Sequence, residues 1–211
     1  MAERKSPSKA PTDSREALLE AAKVVFSEKG YEGATVKDLA DEAGVNVSLV
    51  SYHFGGKEGL YRTCIESFGI ARVEAAERIL APAASKEEFR LRLKLWAEHI
   101  IEIQQKEGNA CRVVMRGMDT LDPISLEVFS RVFHRMFQAF HNYLEQGRQG
   151  GLLKQGLDTE IVAGLMFGAL MHQVQAQKLI KALGKRSLEE APHRANFVEH
   201  WVSCHTEGIF A

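Results

Sequence analysis

The sequence predicts an all-α protein of about nine helices, and three observations carry this prediction. Apolar residues recur at the three- and four-residue spacing of amphipathic helices along most of the 211-residue chain. Helix starts and stops, such as Asp122-Pro123 and Gly30, separate these stretches. No segment shows the strict apolar-polar alternation of a convincing β-strand, and no internal repeat is present.

The N-terminal helices are short and closely spaced. Residues 1–13 are rich in Pro, Ser and Lys and predict a flexible basic arm, and Ser14–Lys29 follows as an amphipathic helix. Thr35 is a favourable cap for a second helix. Gly44 ends that helix in a tight turn, and Asn46 caps a third helix.

The third helix has one face for a core and one for a partner. Val50 and Phe54 point inward when the helix is stepped at about 100° per residue, whereas Ser48, Ser51 and Tyr52 point outward. Hydroxyl and phenol groups on an exposed helix can contact base edges and phosphates. Two short helices about a glycine turn, with such a face on the second, indicate a DNA-reading helix-turn-helix.

This segment resembles the helix-turn-helix of the TetR (tetracycline-repressor-like) family of bacterial transcription regulators. The resemblance covers about the first quarter of the chain and is carried by Leu39-Ala40, Ala43-Gly44-Val45, and Tyr52-His53-Phe54 followed by Lys57-Glu58. Ser51 stands where the family most often has tyrosine, which leaves Tyr52 as the expected aromatic reader. The residues expected to contact DNA are Thr35, Lys37, Asn46, Val47, Ser48, Ser51, Tyr52, His53 and Lys57.

The resemblance also implies a domain plan and a function. A three-helix DNA-binding domain over residues 14–56 is expected to precede a helical effector-binding and dimerisation domain over residues 57–211. The implied function is that of a ligand-responsive regulator, most often a repressor, that releases a palindromic operator when a small molecule binds. The remaining helices are expected at about Lys57–Leu80, Ser85–Ile103, Asn109–Met118, Pro123–Gly147, Asp158–Leu183 and Ser187–Gly208.

Aromatic and methionine side chains are frequent on the C-terminal helices. Such adaptable, flat side chains suit a pocket for an apolar or aromatic effector, although plain core packing is the default interpretation for any one of them. His99 and His134 could orient a polar group of the ligand or be ordinary core or surface histidines. The candidate effector residues are Trp96, His99, Met115, Met118, Phe133, Phe137, Met166 and Phe167.

Small residues at four-residue spacing predict a close helix–helix contact after residue 158. In the family the last two helices form a four-helix interface between two subunits, so this face is expected to be a homodimer seam. Packing within one subunit is the alternative. The candidate interface residues are Gly164, Gly168, Met171, His172 and Trp201.

Composition and charge limit the other function classes. The formal net charge is −1, and residues 1–64 hold nine Lys/Arg against ten Asp/Glu, which keeps open a helical protein-interaction module that does not read DNA. No phosphate loop, nucleophile elbow or clustered carboxylates support an enzyme that uses the bundle pocket, and no cofactor is expected. The i, i+4 pair His200 and Cys204, with His205, lacks the second cluster that a metal site needs.

The location follows from what the sequence lacks. No apolar run approaches the ~20 residues of a membrane span, and the N-terminus has no signal-like apolar stretch. Three widely spaced cysteines fit reduced thiols better than a disulfide framework. A cytoplasmic location, without membrane partners, is the expectation.

Overall fold

The computed structural model describes residues 11–208, with side chains from Asp13 onward. Regular secondary structure in this range is helical, as the sequence predicts. The predicted arm lies outside the described residues except for Pro11–Asp13, which begin the first helix. The α-helices are α1 (Pro11–Gly33), α2 (Val36–Ala43), α3 (Ser48–Phe54), α4 (Lys57–Ile79), α5 (Lys86–Lys106), α6 (Gly108–Thr120), α7 (Pro123–Val128), α8 (His134–Gln149), α9 (Thr159–Gln175), α10 (Gln177–Ala182) and α11 (Ala191–Thr206).

The described range therefore holds eleven α-helices, because two predicted helices are each broken once. The predicted helix from Pro123 passes through a π-helical segment, Phe129–Phe133, which separates α7 from α8. The predicted helix from Asp158 is interrupted at Ala176, which separates α9 from α10. Neither break contains Gly or Pro, so the sequence carries no local signal for it.

The first of two compact units contains residues 11–70 together with Gly108–Val132. Arg116 Nη1, on α6, donates to the carbonyls of Ser27 (3.0 Å) and Glu28 (2.7 Å). These bonds satisfy carbonyls near the point where α1 departs from helical geometry, at Gly30 with φ 72°. The core of this unit includes the almost fully buried side chains of Leu18, Phe26, Leu39, Val50, Leu60 and Ile65.

The second compact unit contains Ala71–Glu107 and residues 133–208. Its core is built on stacked rings: Trp96 and Phe140 have centroids 4.5 Å apart, as do Phe89 and Tyr143. Tyr143 Oη donates to the carbonyl of Phe89 (3.0 Å), so the buried phenol has a partner. Across residues 11–208, none of the helices combines the length and apolar character that a membrane crossing needs.

The limits of the compact units differ from the predicted domain limits. Residues 57–70 and 108–132 pack with the N-terminal helices, although the sequence places them in the C-terminal domain. One reason is visible at Tyr61 on α4, whose hydroxyl lies 3.1 Å from Ser125 Oγ on α7. The functional division at residues 56 and 57 stays a prediction.

Candidate nucleic-acid interface

The N-terminus of α2 is fixed by reciprocal bonds between two residues. Asp38 N donates to Thr35 Oγ1 (3.1 Å), and Thr35 N donates back to Asp38 Oδ2 (2.9 Å), which forms a capping box. Lys29 Nζ lies 2.7 Å from Asp38 Oδ1. Lys29 and the Thr35 bonds lower the pKa of Asp38 to about 2. The cap predicted at Thr35 is confirmed, and its side chain is already engaged there.

The turn between α2 and α3 follows the prediction. Gly44 has φ 66° and ψ 34°, a left-handed conformation in which a Cβ is strained. Val45 N donates to the carbonyl of Ala40 (3.0 Å), which closes the end of α2. Asn46 Oδ1 then accepts bonds from Ser48 N (2.9 Å) and Ser48 Oγ (2.8 Å) at the start of α3. Asn46 therefore acts as a cap, which also orients the Ser48 hydroxyl.

One face of α3 is anchored and the other is exposed. Val50 is fully buried, whereas Tyr52 is 77% exposed and Val47 is 50% exposed. Ser48 and Ser51 are also exposed. We call Val47, Ser48, Ser51 and Tyr52 the reading face. Its apolar, hydroxyl and phenol groups are of the kinds that contact thymine methyl groups, base edges and phosphates.

His53 is half-buried and ties α3 to α1. Its Nε2 lies 2.9 Å from the hydroxyl of Ser14, which is only 2% exposed. Sequence reasoning placed His53 among the DNA contacts and did not foresee the bond to a residue 39 positions earlier. No local pattern in the sequence signals such a contact, because it depends on how α1 packs against α3.

Lys57, at the start of α4, also has partners inside the first unit. Its Nζ donates to the carbonyls of Tyr31 (2.9 Å) and Ala34 (3.1 Å) and lies 4.4 Å from the centre of the Tyr31 ring. The DNA contact expected at Lys57 stays a prediction, and the same cation also holds the α1–α2 connection. Lys37 on α2, by contrast, is exposed.

The connection between α3 and α4 requires a glycine at position 59. A Cβ built on Gly59 would lie 1.8 Å from the carbonyl oxygen of Phe54, which neither backbone can accommodate without moving. This close approach sets the direction of α4 after the reading face. Sequence reasoning did not identify Gly59, although its place just after Gly55-Gly56 is a usable signal.

Six of the eight candidate effector residues lie in the second unit. Trp96 and Met166 are buried, while Phe133, Phe137 and Phe167 are half-buried. The Phe167 ring lies 5.8 Å from Trp96 and 6.4 Å from Phe137, centroid to centroid, so the structure brings three of the predicted rings together.

The other three candidate effector residues differ in the unit to which they belong or in the burial of their polar atoms. Met115 and Met118 belong to the first unit, and Met118 is half exposed. His99, in the second unit, has a buried Nε2 with no hydrogen-bond partner among the described residues. Burial and then the charge of Arg72 lower the pKa of His99 from its usual value. His134 is exposed and is better placed as a surface residue.

The candidate dimer residues divide between surface and core. Gly164, Gly168 and His172 are exposed on α9, and a Cβ at either glycine would meet nothing within 4 Å. Met171 is half-buried. Trp201 is 5% exposed and its Nε1 donates to the carbonyl of Met166 (3.3 Å), so this ring belongs to the core of its own subunit.

The sulfur chemistry is simple. No disulfide joins Cys64, Cys111 and Cys204, and burial raises the pKa of Cys64 to about 12. Among the described residues no group of three His, Cys, Asp or Glu side chains is arranged to hold a metal ion.

Residues 18–64 match the model of the bacterial regulatory proteins of the tetR family, and this stretch contains α2, α3 and the reading face. In this stretch the chain is similar to the tetR family of regulators. It is 42% identical over 66 residues to the HTH-type transcriptional repressor AcnR of Corynebacterium glutamicum, which covers 31% of this chain and 32% of AcnR. It is 26% identical over 138 residues to the probable HTH-type transcriptional regulator YttP of Bacillus subtilis, covering 64% and 65% of the two chains.

A fold shared with a solved regulator structure extends over most of the chain. The structure of the regulator FadR from Bacillus subtilis in complex with stearoyl-CoA superimposes with a TM-score of 0.73 at 18% identity, covering 92% of this chain and 98% of FadR. At that identity the likeness shows the fold. The two curated relatives are each matched over less than two thirds of their length.

Proposed function

We propose that this chain is a homodimeric transcription regulator that binds operator DNA through α3 and releases it when a small molecule binds in the second unit. The observation that carries the proposal is the reading face. Tyr52 and Val47 are the most exposed apolar or aromatic side chains of the first three helices, on a helix anchored by Val50, His53 and the Asn46 cap. AcnR, a named repressor, shares this segment, which supports repression as the direction of control.

A second exposed face supports the dimer. Ile161 and Leu165 on α9 are 61% and 65% exposed, and they flank Gly164 and Gly168, which lie open to the surface. Exposed large apolar residues mark a surface that a partner can bury. The glycines beside them let a second helix approach closely. A two-fold dimer presents two copies of α3, and such pairs bind palindromic half-sites about 34–36 Å apart.

The aromatic cluster of Trp96, Phe137 and Phe167 supports a small-molecule effector. FadR binds stearoyl-CoA in a chain of the same fold. An effector changes operator affinity only if it binds one dimer conformation better than another. A cytoplasmic location is part of this proposal, since operator DNA is there in bacteria.

The test is selection of bound fragments from the source genome, followed by sequencing. A shared palindromic motif that the wild-type chain binds, and that Tyr52→Ala loses, is the expected result. Enrichment of no common motif would overturn the proposal and favour the protein-interaction module. Size measurement of the free protein and of the complex checks the dimer at the same time.

A further inference from the structure

An ionised side chain is buried in the second unit. The side chain of Arg72, on α4, is only 10% exposed, and its guanidinium forms an ion pair with Glu107 at the C-terminal end of α5. Burying a charge is costly unless paired, so a buried arginine marks a place where a negative partner is strongly favoured. The Glu107 side chain is 40% exposed and can be rehydrated at much lower cost than Arg72.

His99 provides a second polar group near this arginine. It lies on α5, and its buried Nε2 has no hydrogen-bond partner among the described residues. A buried polar atom without a partner is uncommon and calls for a ligand or a water. Its pKa is lowered by burial first and by Arg72 next, with Arg78 and Lys106 acting in the same sense and Glu102 opposing them. The imidazole is therefore neutral near pH 7 and keeps one N–H donor and one acceptor.

An aromatic cluster begins on the same helix as His99. Trp96 precedes His99 by three residues, a spacing that places both on one side of α5. The half-buried ring of Phe167 lies 5.8 Å from Trp96, and Phe137 lies next to Phe167. The buried guanidinium and the imidazole nitrogen without a partner offer a cationic, hydrogen-bonding end for a ligand, and the aromatic rings offer an apolar end.

We propose that Arg72 and His99 bind the carboxylate of an apolar carboxylic acid, whose hydrocarbon part packs against Trp96, Phe137 and Phe167. The ligand carboxylate replaces Glu107 on the Arg72 guanidinium and accepts an N–H bond from His99. Charge-assisted bonds of this kind are stronger than those of a neutral head group. This inference rests on the proposed function and deepens it by naming the class of effector.

Replacement of Glu107 by the ligand carboxylate affects the connection between α5 and α6. Glu107 is the last residue of its segment in the second unit, and Gly108 begins the segment of α6 in the first unit. Releasing Glu107 from Arg72 therefore removes a side-chain contact at the peptide that connects the two units, while Glu107 N stays bonded to the carbonyl of Ile103 (2.7 Å). The ligand-bound state differs from the free state where α6 begins, on the helix whose Arg116 holds α1.

The test compares ligands of equal length on the full chain without DNA. Octanoate, decanoate and laurate are titrated against 1-octanol, 1-decanol and 1-dodecanol, each below its aggregation limit. Trp96 and Trp201 are the only two tryptophans, so intrinsic fluorescence of a Trp201→Phe variant reports on Trp96 alone. We expect at least one carboxylate to bind about tenfold or more tightly than its alcohol. Equal affinities, or no binding by any carboxylate, would overturn the inference.

Variants assign the carboxylate contacts. Arg72→Met and His99→Leu should each abolish the preference for the carboxylate while leaving alcohol binding unchanged. Arg135→Met is the matched control, because Arg135 also pairs with a glutamate of the second unit, Glu77 (3.0 Å), but is 59% exposed. The preference should survive in this control, and its loss there would count against the assignment.

Glu107→Gln keeps the result interpretable if the buried variants do not fold. It leaves Arg72 in place and removes its competing carboxylate, so carboxylate binding should become several-fold tighter. Unchanged or weaker binding would contradict the exchange. Carboxylate selectivity without any effect on operator binding would support the ligand class and refute the proposed release of operator DNA by the ligand. Operator binding without carboxylate selectivity would refute this inference alone.

Discussion

At the scale of single residues, Tyr52 is the side chain most clearly available for DNA. It is 77% exposed, and its ring contacts His53 at 4.9 Å. Tyr52→Ala should therefore weaken operator binding by roughly 1–3 kcal/mol, while the free energy of unfolding changes by less than ~0.5 kcal/mol. Fluorescence anisotropy with a selected operator fragment and thermal melting measure the two effects. Full-affinity binding by the variant would show that α3 does not read DNA through this residue.

Lys57 has a structural role in addition to the DNA contact that its position in the motif predicts. Lys57→Met removes two bonds to the carbonyls of Tyr31 and Ala34 and the contact with the Tyr31 ring. Hydrogen bonds from charged groups contribute ~1.5–3 kcal/mol, and partial exposure reduces this. We expect unfolding to become easier by about 1–2 kcal/mol, measured by urea denaturation.

Lys37→Met is the comparison for Lys57. Lys37 is exposed on α2, so its loss should leave stability unchanged and flatten the salt dependence of operator binding by about one ion. If Lys57→Met were as stable as Lys37→Met, the carbonyl bonds of Lys57 would not contribute to the fold.

At the scale of helices, the exposed face of α9 can be tested by filling it. Gly168→Leu adds a branched side chain where nothing lies within 4 Å in the single subunit, so the subunit should fold normally. Sedimentation should nevertheless show a monomer, because the added side chain prevents close approach of a second helix. Gly156→Leu, at another open glycine with nothing within 4 Å, is the control and should stay dimeric. A dimeric Gly168→Leu would place the seam elsewhere.

Helix starts were predictable because their signals are local. Thr35, Ser85, Asp122 and Asp158 each accept a backbone N–H from the first turn of the helix that follows, as their residue types indicate. The outward face of α3 followed from periodicity in the same way.

Long-range contacts were not predictable in this way. The Ser14–His53 bond, the partners of Lys57 and the burial of Trp201 depend on how distant helices pack. The π-helical break at Phe129–Phe133 also lacks a Gly or Pro signal. Contacts of this kind arise from tertiary packing, which local sequence patterns do not specify.

At the scale of the whole molecule, the two compact units are not consecutive segments of the chain. The chain passes between them at residues 70–71, 107–108 and 132–133, and the last of these lies in the π-helical segment. The reading face therefore shares a unit with α6 and α7, which follow α5 in the sequence. A change in the second unit has three covalent routes to the first, which suits a protein that couples two binding events.

Coupling of this kind is reciprocal. If an effector lowers operator affinity, the operator must lower effector affinity by the same factor, and couplings of ~1–3 kcal/mol correspond to about 5–150-fold. We expect the carboxylate with the highest affinity in the fluorescence titration to bind more weakly, within this range, when the protein is saturated with operator DNA. Calorimetric titration with and without the operator fragment measures both affinities. Tyr52→Ala, at a fragment concentration that saturates the wild-type chain but lies below the weakened affinity of the variant, should give one value in both. Identical affinities for the wild-type chain would mean that ligand binding in the second unit does not control DNA release, because an effector that binds both conformations equally shifts neither.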